Sequence, residues 1–400
     1  VKTKHATHER IDAVDRAFRE AIARGLAHLT AEDEELGGRW VTLRGRRRVS
    51  FSSCSYVGLE ADPRLKHSAC DAVERYGVQF SSSRAYVSCP PYRELERLLG
   101  GIFAGAPLVV AQTTSLAHFA ALPVLARKGD AVICDQMVHN SVQSVLPTLG
   151  ALGVPSFFVR HNRMDRLAAM IEKLERQHER VFYLGDGIYS MHGDAAPMDE
   201  LRALAARHPR LHLYLDDAHG MSWTGSHGRG HVLGQGPIPP RTIVALSMAK
   251  AFSAGGAVLV FPDAESARLV RTCGSTLIFS GPLQPALLGA AIASARVHLS
   301  PEISERQQKL RDRIALFGDL CQARGVPLAS TDATPIRFVP VGSDEATYRM
   351  VSHLMDEGYF TNTALFPAVS RGQGGVRIAL TVHHTLDDIR GLVDALARRL

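Results

Sequence analysis

Between about residues 105 and 260 the chain repeats one pattern: a short apolar run, a polar turn at its end, then a stretch with helical spacing. The runs at 107–111, 131–135, 155–159, 181–184, 211–215 and 243–246 are too short for helices and are rich in Val, Ile, Leu and Phe, as strands buried on both faces are. Strands alternating with helices predict an α/β fold, a mostly parallel sheet covered by helices on both sides. Open sheets of this kind bind ligands outside the carboxyl ends of their strands. Several of these runs end there in groups with chemistry to offer, Asp135, Asp186 and Asp216 among them.

The chain of 400 residues is long enough for a large and a small domain. With 46% hydrophobic and 22% charged residues it can bury a sizeable core. A net charge of +6 suits an acidic or phosphorylated small molecule better than nucleic acid, which calls for a clustered basic face. The run Arg44-Gly45-Arg46-Arg47-Arg48 reads either as a solvated turn or as a phosphate contact for a coenzyme A substrate. The six cysteines show no C-x-x-C pair or zinc spacing, which points to reduced thiols and no metal site. The polar N-terminus lacks the apolar core of a signal peptide, and apolar runs such as 286–293 are too short for a bilayer. A cytoplasmic protein without a membrane span is the expectation.

Two strand ends carry the sharpest chemistry. The run from Leu211 closes on Asp216-Asp217-Ala218-His219-Gly220, and the run from Ile243 closes on Ser247-Met248-Ala249-Lys250, followed by Gly255-Gly256. A lysine among small residues leaves its amine unobstructed, although alone it could be a surface lysine. Asp216 could meet a positively charged ring nitrogen and His219 an adjacent ring oxygen. A lysine for an aldehyde and an acid for a pyridinium nitrogen are the two groups that pyridoxal phosphate chemistry requires. Thr113-Thr114-Ser115 open a helix whose first amides could hold the cofactor phosphate, or simply cap the helix.

The Asp-Asp-Ala-His-Gly motif, Gly225-Ser226-His227-Gly228-Arg229-Gly230, and Ser247-x-x-Lys250 with its Gly-Gly resemble the α-oxoamine synthase family of fold-type I pyridoxal phosphate enzymes, from about Ser50 to the C-terminus. The resemblance implies an aminotransferase-like large domain with a mostly parallel seven-stranded sheet and a smaller C-terminal α/β domain. The expected division is 1–50 for an N-terminal helix and arm, 51–295 for the cofactor domain and 296–400 for the small domain. It also implies a decarboxylative condensation of an α-amino acid with an acyl thioester, carried by coenzyme A or an acyl carrier protein, giving an α-aminoketone. An aminotransferase or a carbon-carbon lyase on the same fold is the alternative.

By the same resemblance His139 stacks on the cofactor ring, Asp186 and Ser247 lie at the cofactor, and Ser190 and Arg377 receive the substrate carboxylate. Ser280 corresponds to a hydroxyl that reaches the phosphate of a neighbouring subunit, which implies a homodimer with shared active sites. It could equally be a cap before Pro282. The chain departs from its relatives at Cys54, where they carry the Asn that helps hold the carboxylate, and at Thr113 to Ser115, His118 and His192. These departures suggest a specialised branch over a housekeeping enzyme.

Overall fold

The computed structural model describes residues 2–234 and 239–400. Its residues fall into two compact units. One holds Leu59–Tyr189 and Ala195–Gln307; the other holds the chain up to Gly58, Ser190–Asp194 and Gln308–Leu400. This division differs from the expected one. Residues 1–50 form no separate arm but share a unit with the C-terminal part, and the later boundary lies inside the helix Glu302–Arg324. Pairing between strands distant in sequence makes the difference: β2 (Arg46–Ser50), the return strand of a hairpin with β1 (Trp40–Leu43), pairs in parallel with Tyr359–Phe360.

The larger unit is built on seven strands: β3 (Leu108–Ala111), β4 (Ala131–Asp135), β5 (Ser156–Val159), β6 (Val181–Asp186), β7 (Leu211–Asp216), β8 (Thr242–Ser247) and β9 (Ala257–Val260). They lie in the order β3-β9-β8-β7-β6-β4-β5, and only β9 runs against its neighbours. The expected mostly parallel sheet is therefore present. Strands β4, β6, β8 and β9 are buried at every residue and β7 at all but His212, which is why their sequences run largely apolar without alternation. Leu213, Leu215, Val244 and Leu246 belong to one core, and Tyr214, Ile243 and Ala245 to a second, as the two-residue period of a strand dictates.

Helices begin where the sequence supplies caps. Asp62 caps Pro63–Tyr76 and Thr113 caps Thr114–Leu125, each accepting a backbone N–H in the first turn. The long helix Pro285–His298 carries Pro in its first turn and follows the separate turn Ser275–Ile278. The expected N-terminal helix spans Lys2–Ala23 and stops where Gly25 takes φ +67°.

In the smaller unit β10 (Ile336–Gly342), β11 (Tyr359–Phe360), β12 (Asn362–Ala364) and β13 (Gly374–Ala379) complete the strands, and β13 lies between β10 and β12 in an antiparallel sheet. The arginine run divides: Arg44, Arg46 and Arg47 are exposed, whereas Arg48 is buried. Its guanidinium donates to the carbonyls of Leu43, Arg46 and Met355 and ties the hairpin down. Among the described residues no helix is long and apolar enough to cross a membrane.

Candidate active site

Strands β8, β7, β6 and β4 are adjacent and parallel, so their carboxyl ends deliver Ser247, Asp216, Asp186 and Asp135 along one edge of the sheet. Asp186 and Asp216 stand opposite each other in register, both buried. Two carboxylates so placed cannot both hold charge cheaply. Burial alone would raise Asp216. The hydrogen bond from His118, with Lys250 and His139 beyond it, outweighs that and brings its pKa down to about 2. Burial first, and then the charge of Asp216, push Asp186 well above the usual carboxylate range. One charged and one neutral acid result.

Lys250 follows β8 and is half-buried. Its positive charge bears on Asp216, Asp186 and His139 together, so the amine shares their surroundings. The following glycines permit close packing. A Cβ on Gly255 would come within 2.7 Å of Leu287, and one on Gly256 within 2.8 Å of Leu283.

His139 is the N-cap of Asn140–Gln143, and its ring orientation is fixed by the Ser141 N–H donating to Nδ1 at 3.2 Å. Its own N–H donates to Asp186 at 3.1 Å, which gives that neutral acid a positioning task. The ring keeps an exposed surface, yet its crowded walls desolvate it and hold its pKa below the ordinary histidine value. An uncharged ring with an open face is what stacking on an aromatic cofactor requires.

Ser247 is buried, and its hydroxyl oxygen accepts the Ala249 N–H at 3.2 Å. His219 is buried, and its carbonyl accepts the Trp223 indole N–H at 2.6 Å. Thr113 spends its hydroxyl oxygen on the Leu116 N–H at 3.1 Å; the amides of Thr114 and Ser115 lie at the helix start, where no intrahelical acceptor exists. Ser280 donates to Gln112, immediately before Thr113, at 3.0 Å. In its own chain it therefore lies against the loop that leads to the proposed phosphate site.

The smaller unit gathers a second set. Arg377, buried on β13 between Phe338 of β10 and Asn362 of β12, donates from Nε to the Ser190 carbonyl at 2.6 Å and from Nη2 to Cys54 Sγ at 3.7 Å. Cys54 is half-buried and forms no disulfide. His192 meets the Phe338 ring edge-on, with centroids 4.9 Å apart.

The sequence left one member of the site without a role. His118, named only as a departure, is fully buried and touches Asp216 and Tyr214. The signal was available in part. Tyr214 and Asp216 are two residues apart on a strand and share a face, and a histidine in an otherwise apolar helix stripe needs polar partners.

Residues 81–396 match the family described as Aminotransferase class I and II. The chain belongs to that family. It is 31% identical over 376 residues to an 8-amino-7-oxononanoate synthase of Maricaulis maris, covering 93% of this chain and 92% of the relative. An 8-amino-7-oxononanoate synthase of Geobacter sulfurreducens is 31% identical over 366 residues, covering 90% and 91%. The fold matches a serine palmitoyltransferase from S. paucimobilis, solved with a bound pyridoxal phosphate–myriocin aldimine, at a TM-score of 0.88, with 23% identity over 98% of this chain and 97% of the other. The α-oxoamine synthase resemblance drawn from the motifs is thereby upheld.

The residues present fit pyridoxal phosphate. A buried carboxylate that keeps its charge, an amine within its field, an imidazole with an open face and unspent helix amides make up one group at the strand ends.

Proposed function

We propose that this chain catalyses the pyridoxal phosphate-dependent, decarboxylative condensation of an α-amino acid with an acyl thioester, giving an α-aminoketone. The observation that carries this reading is the charged, buried Asp216 held in common surroundings with Lys250 and His139. Kinship with 8-amino-7-oxononanoate synthases over more than nine-tenths of the chain supplies the reaction class.

When bound, pyridoxal phosphate supplies an aldehyde for the substrate amine and an electron sink for the carbanion at Cα. Asp216 keeps the ring nitrogen protonated, because its carboxylate remains charged throughout the neutral range. Lys250 holds the aldehyde before substrate arrives and then, as a free amine, takes and returns the proton at Cα. His139 covers the ring, and Asp186 fixes the backbone that carries it. Thr113, Thr114, Ser115 and Ser247 hold the phosphate, and His219 bonds the ring oxygen. Arg377, steadied by the Ser190 carbonyl, grips the substrate carboxylate beside Cys54.

The proposed enzyme works as a homodimer, with Ser280 serving the partner's phosphate as well; Phe279 beside it is 86% exposed, as an unmet contact surface would be. The acyl donor is a coenzyme A or acyl carrier protein thioester. The decisive experiment incubates the protein with amino acids and acyl-CoA while free thiol and carbon dioxide are measured. Stoichiometric release of both supports condensation. Oxo acid formation without thiol release makes the protein an aminotransferase instead. Lys250→Ala is expected to lose both the visible absorbance of the bound cofactor and turnover; an unchanged spectrum would remove Lys250 from its role.

A further inference from the structure

We propose that His118 and Tyr214 act as a tautomer lock that fixes the charge and aim of Asp216, and so set how strongly this protein prefers a cofactor with a basic ring nitrogen. The inference rests on the cofactor reading above and goes beyond it in naming two positioning residues.

His118 lies in the helix Thr114–Leu125 within a buried stripe that includes Ala117, Ala121, Leu122 and Leu125. An imidazole shut away from water there is tolerated only if both ring nitrogens are bonded. Both are: Nδ1 lies 2.8 Å from the Tyr214 hydroxyl and Nε2 lies 3.0 Å from Asp216 Oδ2. Tyr214 and Asp216 stand on one face of β7, about 7 Å apart along the strand, a span that one histidine ring bridges.

The protons can be assigned from this chain of contacts. Tyr214 is fully buried, and burial first and Asp216 second push its hydroxyl well above the usual tyrosine range, so it keeps its proton. That proton has His118 Nδ1 as its acceptor. With Nδ1 accepting, Nε2 must carry the hydrogen, and it donates to Asp216. The second carboxylate oxygen, Oδ1, accepts the Ala218 N–H at 3.0 Å. Each oxygen is thus held by one fixed donor, one from the helix and one from the turn after the strand. The charged or titratable groups that bear on Asp216 are Lys250 after β8, His139 after β4 and Asp186 at the end of β6, together with His118 from the helix. Of these, His118 donates to it at 3.0 Å and is itself held in one orientation by a second buried partner.

A purely structural His118 would support any ring-shaped cofactor equally. A lock acting through Asp216 supports specifically the one with a basic nitrogen. The test compares dissociation constants for pyridoxal phosphate and for its 1-deaza analogue, whose ring nitrogen is replaced by CH, on the cofactor-stripped wild type, His118→Ala, His118→Asn and Tyr214→Phe. The preference for pyridoxal phosphate over the analogue is expected to fall about 10-fold in His118→Ala and about 3-fold in Tyr214→Phe, with His118→Asn between them. Nitrogen-15 NMR of histidine-labelled, cofactor-free protein is expected to show His118 with its hydrogen on Nε2. Equal weakening of both ligands, an unchanged preference in the variants, or a hydrogen on Nδ1 overturns the lock while the cofactor reading stands. Failure of the wild type to bind pyridoxal phosphate at all sinks that reading, and the lock with it. Should His118→Ala not fold, the two conservative variants carry the comparison.

Discussion

Asp216 and Asp217 are neighbours at the end of one strand, both buried, yet the protein treats them in opposite ways. Asp216 is met by an imidazole donor and a nearby ammonium and stays ionised down to a pKa of about 2. Asp217 is met by backbone only. Its Oδ2 accepts the Val232 N–H at 2.9 Å, its Oδ1 has no partner among the described residues, and burial raises its pKa to about 8. Glycines close around it: a Cβ on Gly220 or Gly187 would come within 2.0 or 2.3 Å of Oδ1, and one on Gly230 within 2.3 Å of Oδ2. Asp216 ends the strand and Asp217 follows it, and the two carboxyls meet different partners, His118 for the first and the Val232 N–H for the second. What a buried carboxyl does is decided by whether its neighbours carry charge, not by depth alone.

The contrast breaks most visibly at the charged member. Asp216→Asn is expected to lower kcat/KM for the condensation by about 1,000-fold or more, since the electron sink depends on a protonated ring. Asp217→Asn, which keeps a neutral acceptor for Val232, should stay within about 5-fold at pH 7. Equal losses in the two variants would mean that both acids serve the reaction directly.

Space around the neutral member gives the next largest effect. Gly220→Ala forces a methyl group into the Asp217 carboxyl and is expected to cost about 3 kcal/mol in a denaturant unfolding series. Gly318→Ala, in the middle of Glu302–Arg324 with nothing within 4 Å of the new methyl, should instead stabilise by about 0.5 to 1 kcal/mol. If Gly220→Ala is as stable as wild type, the cradle is looser than its geometry implies.

Much of this arrangement could be read before any coordinates. The apolar runs predicted the sheet because strands buried on both faces have no alternation to hide, and the polar residues at their ends pointed to the edge where the active site is proposed. That Lys250 and Asp216 would share one neighbourhood was legible because their chemistry is rare and their order in the chain is informative. Asp217 was not: nothing in an Asp-Asp pair tells which acid is ionised, since that depends on Gly187, Gly220, Gly230 and Val232 converging from separate segments. His118 escaped assignment for a similar reason, its partners lying 96 and 98 residues away. Arg48 ended a run that looked like solvent-facing charge, but the fold sets its guanidinium against three carbonyls, one of them 307 residues away in sequence.

The two acids also differ in how they couple stability to pH. The folded pKa of Asp217, about 8, lies above its unfolded value of about 4. Below pH 4 both states hold the proton and the group contributes nothing. Between pH 4 and 8 the unfolded chain releases the proton while the folded one keeps it, so stability falls as pH rises, by roughly 1.4 kcal/mol per pH unit. Asp217→Asn is therefore expected to melt higher than wild type at pH 8, with the gap closing by pH 4. Asp216 runs the other way: its stabilising contribution is present above pH 4 and disappears as pH falls toward 2. A gap for Asp217→Asn that widens toward acid would show that Asp217 is ionised in the folded protein.

The smallest expected effect concerns Arg377, the proposed grip on the substrate carboxylate. Its Nε donates to the Ser190 carbonyl at 2.6 Å and its Nη2 to the Cys54 sulfur at 3.7 Å, a weak acceptor, with the Tyr56 hydroxyl a further neighbour of the guanidinium. A substrate carboxylate displaces a thiol from a guanidinium at little cost. An amide oxygen at position 54 would bind Nη2 more firmly and would have to be displaced or shared. Cys54→Asn is therefore expected to change KM for the amino acid by about 3- to 10-fold while leaving kcat within 2-fold, the signature of an altered ground-state contact. Arg377→Lys, which removes the fork but keeps the charge, should raise the same KM by more than Cys54→Asn does. A fall in kcat with constant KM in either variant would place this pair at the reacting bond and not at the carboxylate.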